Sequence, residues 1–300
     1  MKITENENQV IIENIENFDL SDIFDCGQCF RFNKVNKNIE NDFEGVAFGK
    51  YLRVYQKDDK IYFDTTPEDF NNIWRNFFDI DRDYKKIFDM LREKDDVLKK
   101  ASDFCPGMRI IKQEPFECLI SFIISANNNI PRIKKTIERL CENFGEPVGA
   151  GSSRPRNRTN VNLGRENPAP TMYTFPSAEK IANLSLNDLE VIKSGFRAKY
   201  IHGAAKKVAN GEINLDLVYD MTLDEGSEYL QWLKGVGVKI AACVLLFAYN
   251  KLESFPIDVW IKKVLEKYYS KDFPDFSPFD YFGEYAGIAQ EYLYYYERKQ

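Results

Sequence analysis

The stretch Leu233-Lys234-Gly235-Val236-Gly237-Val238-Lys239-Ile240-Ala241-Ala242-Cys243-Val244-Leu245-Leu246 decides how this 300-residue chain is read. Gly235-Val236-Gly237 reads as a tight turn, because both glycines permit the positive φ that such a turn needs. Residues Thr222 to Trp232 form one helix before it, with Thr222 and Glu225 spaced as a capping box, and a second helix runs from Val238. Glycines at the head of a helix let backbone N–H groups approach an anion, which the helix dipole also favours. Lys239 sits in that first turn. The dipole and partial burial both disfavour its ammonium form, and a neutral lysine is a nucleophile able to form a Schiff base. A lysine that only binds phosphate fits this stretch equally well.

Apolar residues on both helical sides make the stretch a helix-hairpin-helix pattern, a backbone clamp for DNA. Asp258, in Ser254-Phe-Pro-Ile-Asp-Val-Trp260, favours the nucleophile. Pro256 keeps the chain extended, and Asp258 is a natural N-cap for a helix starting near Val259. The second hairpin helix and a short turn can return the chain so that Asp258 meets Lys239. A carboxylate facing a sugar C1′ stabilises the oxocarbenium charge that develops as a base departs.

Working outward, residues 1–65 are β-rich, with a strand at Gln9–Glu13 and strands at Val46–Gln56 and Lys60–Thr65 joined by Lys57-Asp58-Asp59. The pattern turns helical near residue 68 and stays so. Phe116–Ile124 reads as a buried helix and Pro131–Phe144 as an amphipathic one, its stripe made by Ile133, Ile137, Leu140, Cys141 and Phe144. Ser185 with Asp188 resembles a second capping box. His202 is expected as an ordinary surface or packing residue and is given no catalytic role. Residues 146–170 hold four arginines and no lysine, unlike the Lys-rich remainder, and read as a flexible inserted loop, with a basic tether for DNA as the alternative.

With 44% hydrophobic residues, 23 Phe and 17 Tyr, the chain can build real cores. No run of 18 apolar residues spans a membrane, and the polar start with three Glu is not a secretory signal, so a cytoplasmic protein is expected, nucleoid-associated in a prokaryote. A net charge of −6 argues mildly against nucleic acid, but binding is local. Basic residues recur at Arg132-Lys134-Lys135, Arg197-Lys199 and Lys234-Lys239. The six cysteines are expected as thiols. Cys26-Gly-Gln-Cys29 has knuckle spacing, but no second pair and only one histidine exist to complete a zinc site.

G-V-G-x-K followed by P-x-D-V resembles the helix-hairpin-helix DNA glycosylases that pair a catalytic Lys with a downstream Asp. Gly27-Gln28-Cys29-Phe30-Arg31, Asn127-Asn128-Asn129-Ile130-Pro131-Arg132, Gly195-Phe196-Arg197-Ala198-Lys199-Tyr200 and Gly283 to Gln290 resemble, in family order, further motifs of the 8-oxoguanine DNA glycosylases. These matches span roughly residues 9–298 apart from the 146–170 insertion. The resemblance implies an α+β protein: an N-terminal antiparallel β domain, TATA-binding-protein-like, with flanking helices over 1–112, then two helical lobes over 113–300 whose C-terminal helix packs back near the active cleft. It implies excision of 8-oxoguanine and lyase action through a Schiff base on Lys239, supported by Asp258. Gly27 would offer its carbonyl to N7–H of the lesion, which guanine lacks. Cys243 and Tyr294 would sandwich the flipped base and Gln290 would bond its edge. Asn127 would fill the vacated space, Arg132 and Arg197 would read the orphaned cytosine, and Gly235 and Gly237 would admit the phosphate.

Trp260 stands where the family has a phosphate-binding His, and the family's Tyr and Phe are Phe196 and Tyr294 here. No cysteine follows Cys243, so the iron–sulfur cluster of related glycosylases is not expected, nor any other cofactor or metal. The expected partner is double-stranded DNA with an oxidised purine opposite cytosine, met by a monomer. Two alternatives remain open: a glycosylase for another damaged purine, and a non-catalytic DNA-binding protein that uses the hairpin alone.

Overall fold

The computed structural model describes residues 1–35, 41–148, 172–269 and 276–300. Its first part is a six-stranded antiparallel sheet: β1 (Lys2–Asn6), β2 (Gln9–Glu13), β3 (Asn33–Lys34), β4 (Asp42–Ala47), β5 (Lys50–Lys57) and β6 (Lys60–Asp64), in spatial order β1-β2-β6-β5-β4-β3. Alternation sets the buried face. Val10 and Ile12, Leu52 and Val54, and Ile61 and Phe63 point into one core. There they meet Trp74, Phe77, Phe78 and the stacked rings of Phe24 and Phe32, whose centroids lie 4.4 Å apart.

Asp58 and Asp59, both at positive φ, close β5 onto β6 as a two-residue turn across the Lys57–Lys60 pair. The expected strand Val46–Gln56 is instead the end of β4, a turn at Phe48-Gly49 and most of β5. Gly49 adopts positive φ readily; Phe48, also at positive φ, gives no sequence hint of a turn.

The remaining described chain is mostly helical, with one exception to that expectation. Pro147–Val148 and Met172–Tyr173 pair as a short antiparallel ladder, β7 and β8, so the expected loop 146–170 begins with a strand; its residues 149–170 lie outside the described residues. The helices Pro115–Ser125 and Ile130–Phe144 stand where periodicity placed them. Ser185 and Asp188 do bond reciprocally, but they lead into a 3-10 turn, Asp188–Ile192, rather than an α-helix.

A second core gathers these helices around Val238–Phe247 and the C-terminal helix Ala286–Lys299. Tyr84–Arg92 and Asp96–Phe104 also put their apolar faces there rather than under the sheet. The two cores are pinned together by Arg109. Its buried guanidinium donates to the carbonyls of Glu16, Asn17 and Asp79 and lies 4.4 Å from the Tyr84 ring centroid.

Candidate active site

The hairpin begins with the helix Leu223–Leu230, ended two residues earlier than expected and opened by a complete capping box of Thr222 and Glu225. Gly235 has φ +95°, and a Cβ there would come within 2.6 Å of the Tyr200 ring, so glycine is required twice over. Gly237 differs from expectation. Its φ is −101°, an extended conformation open to any residue, and nothing lies within 4 Å of where a Cβ would sit. Its value is open space: no side chain caps the helix Val238–Phe247, which leaves first-turn N–H groups without a side-chain acceptor. Buried Val236 anchors the turn from below.

Lys239 and Cys243, one turn apart on that helix, point into a narrow cavity of about 50 Å³. Gly27, Phe122, Phe247, Pro256, Asp258, Gln290, Glu291 and Tyr294 complete its walls. The Lys239 Nζ lies 5.5 Å from the Phe122 ring centroid. Asp258 is the N-cap of the helix Val259–Val264, with one carboxylate oxygen accepting from Trp260 N and Ile261 N at 2.9 Å each. That tether fixes the carboxylate at the mouth of the lysine's cavity.

The protonation of Lys239 departs from expectation. Burial pushes the ammonium down, as expected, but the Cys243 sulfur and the Asp258 carboxylate together hold it above its ordinary value. The raised value favours the ammonium form in the ligand-free protein. The Cys243 thiol is pushed up to about 11 by burial, against the pull of Lys239, and stays neutral at physiological pH. Burial likewise raises the Tyr294 phenol.

Gly27 arrives from the other end of the chain. Its φ of +107° turns the backbone after the helix Leu20–Asp25 towards the cavity. The neighbouring Gln28 side chain fixes that turn. Its amide donates to the carbonyls of Ile23 and Arg109 and accepts from Ile111 N, while Gln113 donates to the Gln28 carbonyl at 2.7 Å. Gln113 N in turn donates to the Phe247 carbonyl, tying the turn to the end of the hairpin helix. From the C-terminal helix, Arg298 donates to the carbonyls of Asp25 and Cys26 at 2.7 and 2.8 Å and to the Tyr294 hydroxyl. The sequence reading did not single out Gln28, Phe122, Glu291 or Arg298. A single charged residue in the stretch Ala286–Tyr296, otherwise Ala, Gly, Gln, Tyr and aliphatic, is the one signal that could have exposed Glu291.

Outside the cavity, Asn127 is exposed at φ +48°, and Arg132 is exposed in the first turn of its helix. Arg197 is only 5% exposed, and its guanidinium donates to the carbonyls of Ala126, Asn127 and Ser194. Burial, and then the neighbouring Arg132 charge, push its pKa below the usual arginine value, so buried Arg197 lies behind Asn127 and close to Arg132. Half-buried Trp260 carries Lys263 Nζ 4.6 Å from its ring centroid. All six cysteines are buried free thiols, and no metal-binding cluster of His, Cys, Asp or Glu occurs among the described residues.

An antiparallel β domain joined to helical lobes, with a hairpin lysine and a helix-capping aspartate lining one cavity, is the arrangement of a DNA glycosylase. Residues 10–119 match the 8-oxoguanine DNA glycosylase N-terminal domain, and residues 120–274 match the HhH-GPD superfamily of base excision DNA repair proteins. The chain is 30% identical over 239 residues to the "Probable N-glycosylase/DNA lyase" of Methanothermobacter thermautotrophicus, which covers 74% of this chain and 73% of that one. It is 26% identical to the N-glycosylase/DNA lyase OGG1 of Arabidopsis thaliana, over 90% of this chain and 75% of that one. The 8-oxoguanine glycosylase/lyase of Clostridium acetobutylicum, solved with double-stranded DNA containing cytosine opposite 8-oxoguanine, superimposes with a TM-score of 0.88 at 37% identity, covering 100% of this chain and 98% of that one. The chain belongs to the HhH-GPD superfamily and, within it, to the 8-oxoguanine DNA glycosylases.

Proposed function

We propose that this chain excises 8-oxoguanine from duplex DNA, opposite cytosine, and then cleaves the strand by β-elimination. The observation that carries the reading is convergence. Lys239 and Asp258 from the hairpin region line one cavity with Gly27, Gln290 and Tyr294 from the two ends of the chain. Lys239, once neutral, attacks C1′ and the base leaves with the glycosidic electrons. The bonded nitrogen gives up its proton to O4′ as the C1′–O4′ bond breaks, leaving a Schiff base on the lysine, and loss of a C2′ proton to solvent then expels the 3′ phosphate. Asp258 stabilises the positive charge that develops at C1′.

The Gly27 carbonyl accepts from N7–H of the lesion, a donor that guanine does not have. Tyr294 and Cys243 hold the flipped base between them, and the buried Gln290 Oε1, which has no partner in the ligand-free protein, accepts from the base edge. A cavity of about 50 Å³ has room for only a few waters, so its walls must part to admit a purine. Arg132 and Asn127 face the orphaned cytosine, and Arg197 braces the Asn127 loop beside them. The reaction as written uses an amine and carboxyl groups alone, with no cofactor.

Duplexes carrying 8-oxoguanine, other damaged purines or undamaged guanine, each incubated with the protein and borohydride, test the reading. Covalent trapping on 8-oxoguanine opposite cytosine is expected to exceed that on every other duplex. Preferential trapping on a different purine, or no trapping at all, overturns it.

A further inference from the structure

The reaction needs a home for the proton that Lys239 must lose, and the cavity offers two carboxyl groups, Asp258 and Glu291. Asp258 spends an oxygen on the two backbone amides of the helix it caps. Glu291 is different. It is 4% exposed, it lines the same cavity as Lys239, and its Oε2 is buried without any hydrogen-bond partner. An unpaired buried carboxyl oxygen costs free energy, so its retention beside a reacting lysine calls for an explanation.

We propose that Glu291 is the proton carrier of the cavity: its carboxylate takes a proton from the Lys239 ammonium and then gives it to the departing purine. This rests on the assignment of Lys239 as nucleophile. The steps balance. The proton moves from Nζ to Glu291, and the freed lone pair forms the Nζ–C1′ bond while the C1′–N9 bond breaks. The glycosidic electron pair goes to the purine, and the Glu291 acid protonates that anion and is a carboxylate again.

The electrostatics fit. Burial raises the Glu291 acid to about 7, opposed by Arg298 on its own helix and by the Cys26 thiol, while Asp258 adds to the rise and Lys239 opposes it. Cys243 of the hairpin helix, Cys105 and Tyr294 are the other titratable groups coupled to it. An acid poised near the working pH transfers protons in both directions with the least penalty.

The test is the single-turnover rate of 8-oxoguanine excision against pH, for the wild type and Glu291→Gln. The wild type is expected to rise about tenfold per pH unit below about 7 and then level off, because Glu291 must be ionised to receive the proton. Glu291→Gln is expected to be about 10²-fold slower at pH 7 and to keep rising well above it, because Lys239 then loses its proton to solvent. A structural role for Glu291 would lower the rate without changing the shape of the profile. Matching profiles overturn the proposal, and so does a flat wild-type profile between pH 6 and 8, which is decisive even where the variant does not fold. A wild type that excises no 8-oxoguanine at any pH overturns the parent assignment as well, so the two failures are distinguishable.

Discussion

The active cavity has two sides built in opposite ways. One side, Lys239, Cys243 and Asp258, comes from a single stretch of twenty residues and is shaped by local rules: a glycine turn, a helix start and an N-cap. The other side joins Gly27 to Gln290, Glu291 and Tyr294, more than 260 residues apart, and depends on Arg298 and Gln28 to hold a backbone turn against a helix. The difference assigns the labour. In the proposed reaction the local side supplies the nucleophile and the charge stabiliser from a few rigidly placed groups, and the composite side supplies most of the contacts to the base together with the Glu291 proton carrier.

The largest expected effect lies on the local side. Asp258→Asn should lower single-turnover excision by about 10²- to 10³-fold through lost stabilisation of charge at C1′. Asparagine still caps a helix well, so the melting temperature should hold. Excision near the wild-type rate would remove Asp258 from the chemistry and break the proposed division.

Gly27→Ala addresses the composite side. The new Cβ would sit 3.0 Å from Arg298 Nη1 and 3.1 Å from Ile130 Cδ1, on a backbone at φ +107°. A strained residue of this kind costs about 1–3 kcal/mol, and excision of 8-oxoguanine should fall roughly 10- to 100-fold. Cleavage at a preformed abasic site, which presents no base to recognise, should change little. Equal losses on both substrates would show that the two sides do not divide recognition from chemistry.

The two arginines outside the cavity separate contact from bracing. Arg132→Ala should erode the preference for cytosine over adenine opposite the lesion by about tenfold, within the range of one good base contact, at an unchanged melting temperature. Arg197→Ala should lower the melting temperature too, because it strips donors from the carbonyls of Ala126, Asn127 and Ser194. If Arg197→Ala melts like the wild type, the bracing role is wrong.

The smallest effect concerns the helix that leads into Gly27. Burial, helped by Asp19, raises the Asp22 acid to about 7 against its hydrogen bond from Gly107 N. A carboxyl whose folded pKa is raised binds its proton more tightly in the native state. Its stabilisation is therefore full below about pH 4 and is lost as pH rises to about 7. Asp22→Asn has no such loss, so its melting temperature relative to wild type should climb by a few degrees between pH 4.5 and 7.5. A pH-independent difference would contradict the raised pKa.

The same division governs what the sequence discloses. The hairpin, the Asp258 cap and the Thr222–Glu225 box are local patterns, and each stands where its residues place it. Residues of the composite side were named only through resemblance to a family, because no periodicity links Gly27 to Tyr294. Glu291 and Arg298 stayed hidden, since the burial of a charged residue is decided by what packs on it from afar. The Lys239 ammonium was misjudged for the same reason: dipole and burial are visible locally, but the pull of Cys243 and Asp258 depends on how the chain returns. Phe48 concealed a turn because only the positive φ of the folded chain reveals it.

The central claim is that Lys239 forms the covalent bond to DNA. Wild-type protein reduced with borohydride on a duplex with 8-oxoguanine opposite cytosine, then digested and sequenced by mass spectrometry, should carry the sugar adduct on Lys239 alone. Lys239→Gln, with its hairpin backbone intact, should bind the lesion duplex and yield no adduct. An adduct on another amine, or undiminished trapping by Lys239→Gln, would contradict the account.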